Sequence, residues 1–470
     1  MWKIILNEWT YLVRNRILIS VSTCFVLVLF LSVFLGVLQT NNQFKYYETS
    51  KDEIRKKWEN IDNMNPHGAA HYGTYVFKPQ NLLSSLDEGV NSVVGNVLRI
   101  EGHVQNEIVF SEASQMQTIS KFGKLKCSLL LQYIIPLLLL FLAFQAISTE
   151  KKSGRLKLLF LQGCGLSKLV WGKAISVWLY GLFLLFLTLF IYSMLNINQI
   201  DIDIFTRLLV FSFSYALYYF IITVFTVFFS TLSKTGTSAL TTMLGLWIIW
   251  TIFSPNIIMS SLEQWHELPS RHEFKLAMKE DRSEGIDGHN PSDDRSEELK
   301  EEILSQYGVS QLSDLPINFD GIRMQADEEY GNMVWDKHFG NLRSILDDQK
   351  KLYQYGGLVN PFISLQNLSM GLTGSDNFHH QEFLVQAETY RRSLIKSLND
   401  KHAFGGSKTG DWSWTPDKDF YKSIPDFHFK AILFNTVSNK YLIDLIFLVS
   451  WTLLAVFLLN MGINLSLIHI

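Results

Sequence analysis

Residues 150–173 read EKKSGRLKLLFLQGCGLSKLVWGK and carry six lysines and arginines against one glutamate. They stand between two runs, 128–147 and 174–195, that contain no charged residue. Twenty residues of helix cover about 30 Å, the thickness of bilayer hydrocarbon. The stretch reads as a turn between two membrane spans, and its basic character assigns it to the cytoplasmic side.

The same length test selects 17–38, 208–229, 239–259 and 445–465. The first of these is too long for a signal-peptide core. LSVFLGVLQT also offers no small-x-small cleavage site, so it reads as an uncleaved span. Pro136 and Pro255 are expected to kink or end their helices, because proline removes a backbone donor. Composition agrees with a mixed protein. Of 470 residues, 48% are hydrophobic and 18% charged, too apolar for a soluble enzyme and too polar for a chain that is all membrane. Cys24, Cys127 and Cys164 lie in or beside apolar runs without a CxxC pair, which excludes a disulfide framework and a zinc knuckle.

Charge sets the orientation. Residues 1–16, 148–173 and 230–237 together carry +8, whereas 39–127 has ten basic and ten acidic residues. Segment 260–440 has twenty basic against twenty-nine acidic. The basic side is the cytoplasm, so both termini are cytoplasmic and the two long segments face outward. The expected fold class is an all-α polytopic membrane protein of the bacterial cytoplasmic (inner) membrane. It has six transmembrane helices and two mainly helical extracytoplasmic insertions, 39–127 and 260–440. Residues 128–259 hold the second to fifth spans with the loop 148–173, and 441–470 hold the last span and a short cytoplasmic end. In residues 1–16, Trp2, Ile5, Trp9 and Leu12 recur at steps of three and four. That spacing predicts an amphipathic helix lying in the interface, rather than one that only extends the first span.

The first insertion opens with KDEIRKKWEN, read as helix, and becomes turn-rich through NMNPHGAAHYGTYVFKP. In the second, helices are predicted over 293–306 and over 321–355, the latter with Ile322, Ala326, Tyr330 and Met333 on one face. A third follows the cap pair Ser375 and Asp376, and FGGSKTGDWSW (404–414) reads as a loop.

Catalytic and nucleotide motifs fail on spacing. GLSKLVWGKA is not a phosphate loop: Ser167 stands where a glycine is needed, and Ala174 replaces the Ser or Thr. HELPSRH (266–272) is not HExxH, and no GxSxG occurs. The spans hold no Asp, Glu, Lys, Arg or His, with only Asp444 at the outer edge of the last one. Ion-coupled transport needs intramembrane acids or histidines, so the energy source is expected outside this chain. Met64, His67 and His71, with His379 and His380 as a second group, are the candidate metal ligands, a mixture suited to copper. Pro66 and Gly68 argue against a regular helix there, and adjacent histidines on loops usually serve hydrogen bonds, so no metal is assigned.

Glu150, Gly154, Arg155, Leu156, Leu158, Leu159, Ser167, Lys168, Gly172 and Lys173 resemble the coupling region of ABC-2 type permeases. There a Glu near the end of the second span precedes a GTL-x-LLL helix, a turn, and a Ser-Arg…GK start to the third span. QGCGL departs from that pattern, which usually has a proline in the turn. NPHGAAHYGTYVFKP, LDEGVNSVVG and EGHVQN resemble the first outer loop of a bacterial ABC-2 permease subfamily with a C-terminal domain of unknown function. NPFISLQNLSMGLTGSDNFHHQEFLVQAETYRRSLIKSLN resembles its second outer domain.

The resemblance implies the permease subunit of an ABC-2 exporter, paired in the bilayer with a second copy or a paralogue. A separate cytoplasmic ATPase subunit would hold ATP and Mg. This chain would contribute no cofactor and no catalytic residue, and nucleic acid is not a partner. Residues 150–173 would then be the docking surface for the ATPase, with Leu156, Leu159 and Leu166 filling a groove on it. ATP hydrolysis would drive export, or transmit force to the outer domains and an outer-side protein partner. The alternative is a membrane-anchored receptor or assembly factor whose outer domains bind metal or protein without transport.

Overall fold

The computed structural model describes residues 1–105, 125–286, 288 and 290–468; residues 106–124 of the first long segment lie outside the described residues. Helix α1 (Trp2–Arg14) is broken from α2 (Arg16–Glu59) by Asn15, whose backbone is extended. Among the described residues, six helices are long and apolar enough to cross a membrane: Leu18–Glu59, Cys127–Lys152, Leu166–Leu195, Ile202–Leu232, Gly236–Trp265 and Phe434–Ser466. The chain is a polytopic helical membrane protein. We number the helices in between α3 (Pro66–Tyr72), α4 (Cys127–Lys152), α5 (Arg155–Leu161), α6 (Leu166–Leu195), α7 (Ile202–Leu232) and α8 (Gly236–Trp265).

Neither proline ends its helix. Pro136 follows a π-helical turn at Leu130–Ile134, and Pro255 follows another at Ile249–Phe253. The wider turn accommodates a ring that would otherwise clash with the preceding turn, so both helices continue.

Helix α7 is the centre of the bundle, packed against α4, α6 and the last span. Tyr215, Tyr218 and Tyr219 are buried along it, and the Tyr219 hydroxyl donates to the Leu131 carbonyl at 2.9 Å. The last span belongs to α14 (Phe434–Ile468), which lies along α7.

The long polar segments form helices α9 (Arg271–Glu284), α10 (Ser292–Tyr307), α11 (Phe319–Tyr355), α12 (Pro361–Leu372) and α13 (Asn377–Phe404). Asp376 caps α13, its side chain accepting from the His379 amide at 3.1 Å. Besides helices, the first polar segment holds one β-ribbon. Strands β1 (Thr74–Phe77) and β2 (Val97–Ile100) pair antiparallel, with Thr74 opposite Ile100 and Phe77 opposite Val97. TYVF and VLRI are β-branched and aromatic enough to take this form once the chain has turned at Gly73 and Gly95.

The two segments share one core. Trp58, Val76 and Leu98 of the first pack with Phe383, Leu394, Tyr421 and Phe427 of the second. The Trp58 indole donates to the Tyr421 carbonyl at 3.2 Å. On α11 the buried residues include Gly321, Met324, Glu328 and Val334, whereas Met333 of the predicted stripe is exposed. A hydrophobic pattern cannot identify this face, because it contains a glutamate whose charge is satisfied by distant partners.

Helix α12 is the unexpected element. Ten of its twelve residues are buried, including Phe362, Leu365, Leu368 and Leu372, and it wedges between α7 and α14. Asn360 caps it and Pro361 sits in its first turn, where the missing amide costs nothing. Twelve apolar-rich residues are too few to span a bilayer but fit a buried plug.

Candidate functional site

The loop 150–173 folds as an elbow. Gly154 has φ +73°, the left-handed conformation that lets α4 end and α5 start at once. At the far end of α5 the Cys164 amide donates to the Leu159 carbonyl at 3.0 Å, and Gly163, with φ +81°, donates to Phe160 at 2.9 Å. This pair of bonds around a left-handed glycine is a Schellman stop. It turns the chain without the proline that the resemblance led us to expect.

Charges hold the elbow in place. Lys173 is buried and bonds Glu150 at 2.9 Å and Glu8 at 3.3 Å, while Glu150 also meets Arg155 at 3.1 Å. Helices α1, α4, α5 and α6 are thereby joined through one lysine. Glu8 was not legible as part of this set, since its partner lies far along the chain. Gly172 serves the same packing: a Cβ there would stand 2.9 Å from Ile4 Cγ2, so glycine lets α1 lie against α6. On the α7 side, the Ser230 hydroxyl accepts from the amides of Ile147 and Ser148 at 3.0 and 3.2 Å.

The leucines divide differently from the expectation. Leu156 and Leu166 are each 2% exposed and anchor the elbow to the bundle, and Leu159 is half-buried against the same core. Leu158 and Leu161 are 60% and 84% exposed. Lys152, Arg155, Lys157, Ser167 and Lys168 are exposed around them. The arrangement is an apolar pair with a basic rim, carried on a short helix fixed from behind.

About 35 Å of α7 separates Ser230 at the elbow from Arg207 near its other end. There the polar body is fastened to the bundle by buried charges. Arg207 is fully buried and donates to Asp203 at 2.7 Å and to the carbonyls of Leu372 and Ile432 at 3.1 and 2.7 Å. Asp87 accepts from Gln132 at 2.9 Å and from Ser369 at 2.5 Å. Asp444 accepts from Gln354 at 2.5 Å and Asn367 at 3.1 Å. Asp376 accepts from Lys350 at 2.9 Å and Tyr441 at 2.7 Å, and its other oxygen meets His379 Nδ1 at 2.6 Å. Burial alone would raise the Asp376 pKa. The His379 bond and the Lys350 charge outweigh it and hold the carboxyl well below the ordinary range.

The candidate metal ligands separate. His379 is engaged by Asp376, and His380 is buried, its pKa lowered to about 4 by burial and by Lys78. Met64 packs against the core around Trp58. His67 and His71 do share a face, because Pro66–Tyr72 is a helix after all: Pro66 occupies the first turn, and Asn65 caps it by accepting from the Gly68 amide. Among the described residues, His67 and His71 come together with His103, their ligand atoms within 4.8 Å of one another. His103 was missed, since it lies far from the pair in sequence, beyond both strands of the β-ribbon.

Comparison with known proteins gives the class. Residues 103–268 match the family described as "ABC-2 family transporter protein", and residues 271–430 match "Domain of unknown function (DUF3526)". No curated protein and no solved structure matches the chain. Residues 103–268, which contain the elbow, are thus an ABC-2 family transporter region, and residues 271–430, before the last span, match a domain of unknown function.

Proposed function

We propose that this chain is the permease subunit of an ABC-2 exporter of the bacterial inner membrane and that α5 is its coupling helix. The observation that carries the reading is the exposed pair Leu158 and Leu161, rimmed by Lys152, Arg155, Lys157 and Lys168 on a braced elbow. An apolar centre within a polar rim is the anatomy of a protein interface. The basic rim would steer an acidic groove on a cytoplasmic ATPase subunit, which binds ATP and Mg. A second copy or a paralogue of this chain would complete the permease. Six spans would bring both termini to the elbow side, and the +8 charge of its segments favours the cytoplasm for that side.

Nucleotide-driven movement of the ATPase would pass from α5 through α4 and α7 to α12 and the polar body, as a two-state shift biased by nucleotide. The output is export, or force delivered to a partner on the outer side. The test is co-purification of the full-length chain with ABC ATPase subunits of its own cell, identified by mass spectrometry, and stimulation of a co-purifying ATPase in proteoliposomes. Loss of association in Leu158→Asp with Leu161→Asp supports the reading; unchanged association and turnover overturn it. Orientation is tested separately by an impermeant thiol reagent on intact cells. Cysteine at Ser292 should label before lysis and cysteine at Ser153 only after it.

A further inference from the structure

The polar body holds a side-chain cluster that the coupling reading does not use. His67 and His71 are four residues apart on α3, and their Nε2 atoms stand 3.2 Å apart. Two nitrogens bound at about 2.05 Å to one tetrahedral ion are separated by about 3.3 Å. The pair is thus already spaced as two ligands of a single ion. A hydrogen bond between the rings has the same spacing but predicts no saturable binding of an ion.

His103 completes the set, and its position is fixed from three directions. Its ring Nδ1 meets Glu328 Oε1 at 2.8 Å, and its backbone amide donates to the same oxygen at 2.5 Å. Its carbonyl accepts from Arg282 at 3.3 Å. The backbone there has φ +63°, a left-handed conformation uncommon for a residue with a side chain. Such strain persists where surrounding contacts dictate it, and it occurs often at functional sites. With Nδ1 turned to Glu328, Nε2 is the ring atom left to ligate an ion. A carboxylate behind an imidazole is the outer-shell arrangement that orients metal-bound histidines.

Glu328 is in turn bonded by Arg391 at 3.0 Å, so the carboxylate cannot swing forward easily. The Trp412 ring lies 5.4 Å from the His67 ring, and the Trp412 carbonyl is held by Asn65 at 2.6 Å. The donor set is three imidazoles without a thiolate, with His71 exposed to solvent. No two ligand atoms of the trio are more than 4.8 Å apart, a gap that closes to tetrahedral contact by a side-chain shift of about 1.5 Å.

We propose that His67, His71 and His103 form a three-histidine site for a divalent cation of the Zn²⁺/Cu²⁺ class, with Glu328 as the outer-shell carboxylate that orients His103. Imidazole donors of intermediate softness select these ions over Mg²⁺ or Ca²⁺, and three protein ligands leave a fourth position open to water or to a partner's group. This inference stands independently of whether an ATPase docks on α5.

The test uses the purified full-length chain in detergent, stripped with a chelator and titrated with Zn²⁺ and with Cu²⁺ against a competing chelator. The expected result is saturation by either ion at one per chain, with no response to Mg²⁺. His71→Gln, at an exposed position, and His103→Asn, which tolerates the left-handed backbone, should each weaken binding by at least about tenfold without lowering the melting temperature. His272→Ala, an exposed histidine outside the cluster, should change nothing. Electron paramagnetic resonance of the Cu²⁺ form should show coupling to three imidazole nitrogens, and to two in either variant. Absence of saturable binding, affinity in the two variants equal to the parent's, or an equal loss in His272→Ala would overturn the proposal.

Discussion

The two ends of the bundle are built on opposite principles. At the elbow, a single buried lysine and two left-handed glycines hold a short helix whose outward leucines have nothing to cover them among the described residues. At the opposite end, Arg207, Asp87, Asp376 and Asp444 are all buried and bonded to groups from the polar body. Buried charges contribute little net stability once desolvation is counted, but removing one partner is costly because the other is stranded. The junction therefore tolerates no partial opening, whereas the elbow presents a fixed scaffold with an uncovered face. If α5 is the coupling helix proposed above, this asymmetry sets an uncovered docking face at one end against a rigid joint at the other.

That contrast can be broken experimentally. The largest effect is expected from Arg207→Leu, which strands Asp203 and the carbonyls of Leu372 and Ile432. A loss of about 3–5 kcal/mol is anticipated, read as a fall in the melting temperature of the detergent-solubilised chain. An unchanged melting temperature would show that the junction is not the rigid end.

Gly172→Val comes next. Its Cβ would stand 2.9 Å from Ile4 Cγ2, inside the space that Ile4 fills, and overpacking of this kind costs about 1–3 kcal/mol. Proteolysis of α1 should accelerate while α12 stays protected. Equal exposure of both would remove the distinction between the two ends.

Leu158→Asp with Leu161→Asp should leave the melting temperature unmoved, since both side chains already face outward. ATPase affinity should nevertheless fall by at least about tenfold, or about 1.4 kcal/mol. A drop in melting temperature instead would mean that these leucines are packed.

The smallest effect concerns acid. Asp376 has its folded pKa held below the ordinary carboxylate value, so the stability it contributes is present above about pH 4 and fades as pH falls through the folded pKa. Melting curves between about pH 6 and pH 3 should therefore fall less steeply in Asp376→Asn than in the parent chain. Identical slopes would remove Asp376 from the joint.

What was legible followed from local chemistry. A run of twenty uncharged residues must be helical in a bilayer, because no water is present to satisfy the backbone. The elbow was legible in the same way: Glu150, Gly154 and Lys173 lie within 24 residues, and its shape follows from two glycines and a helix stop. Even so, sequence could not say which leucines face outward. Leu156 and Leu158 differ only in the direction the α5 axis gives them.

The amino-acid sequence by itself determined six spans, a basic turn among them, and two polar segments too long to be loops. Only the tertiary structure decided that the two segments share a core, that α12 plugs the end of the bundle, and that His103 joins His67 and His71. The reason lies in contact distance along the chain. Arg207 meets Ile432 across 225 residues, and His103 meets Glu328 across another 225. A buried glutamate or arginine reads as a surface residue until its partner is in place, because only the partner offsets the cost of taking its charge out of water.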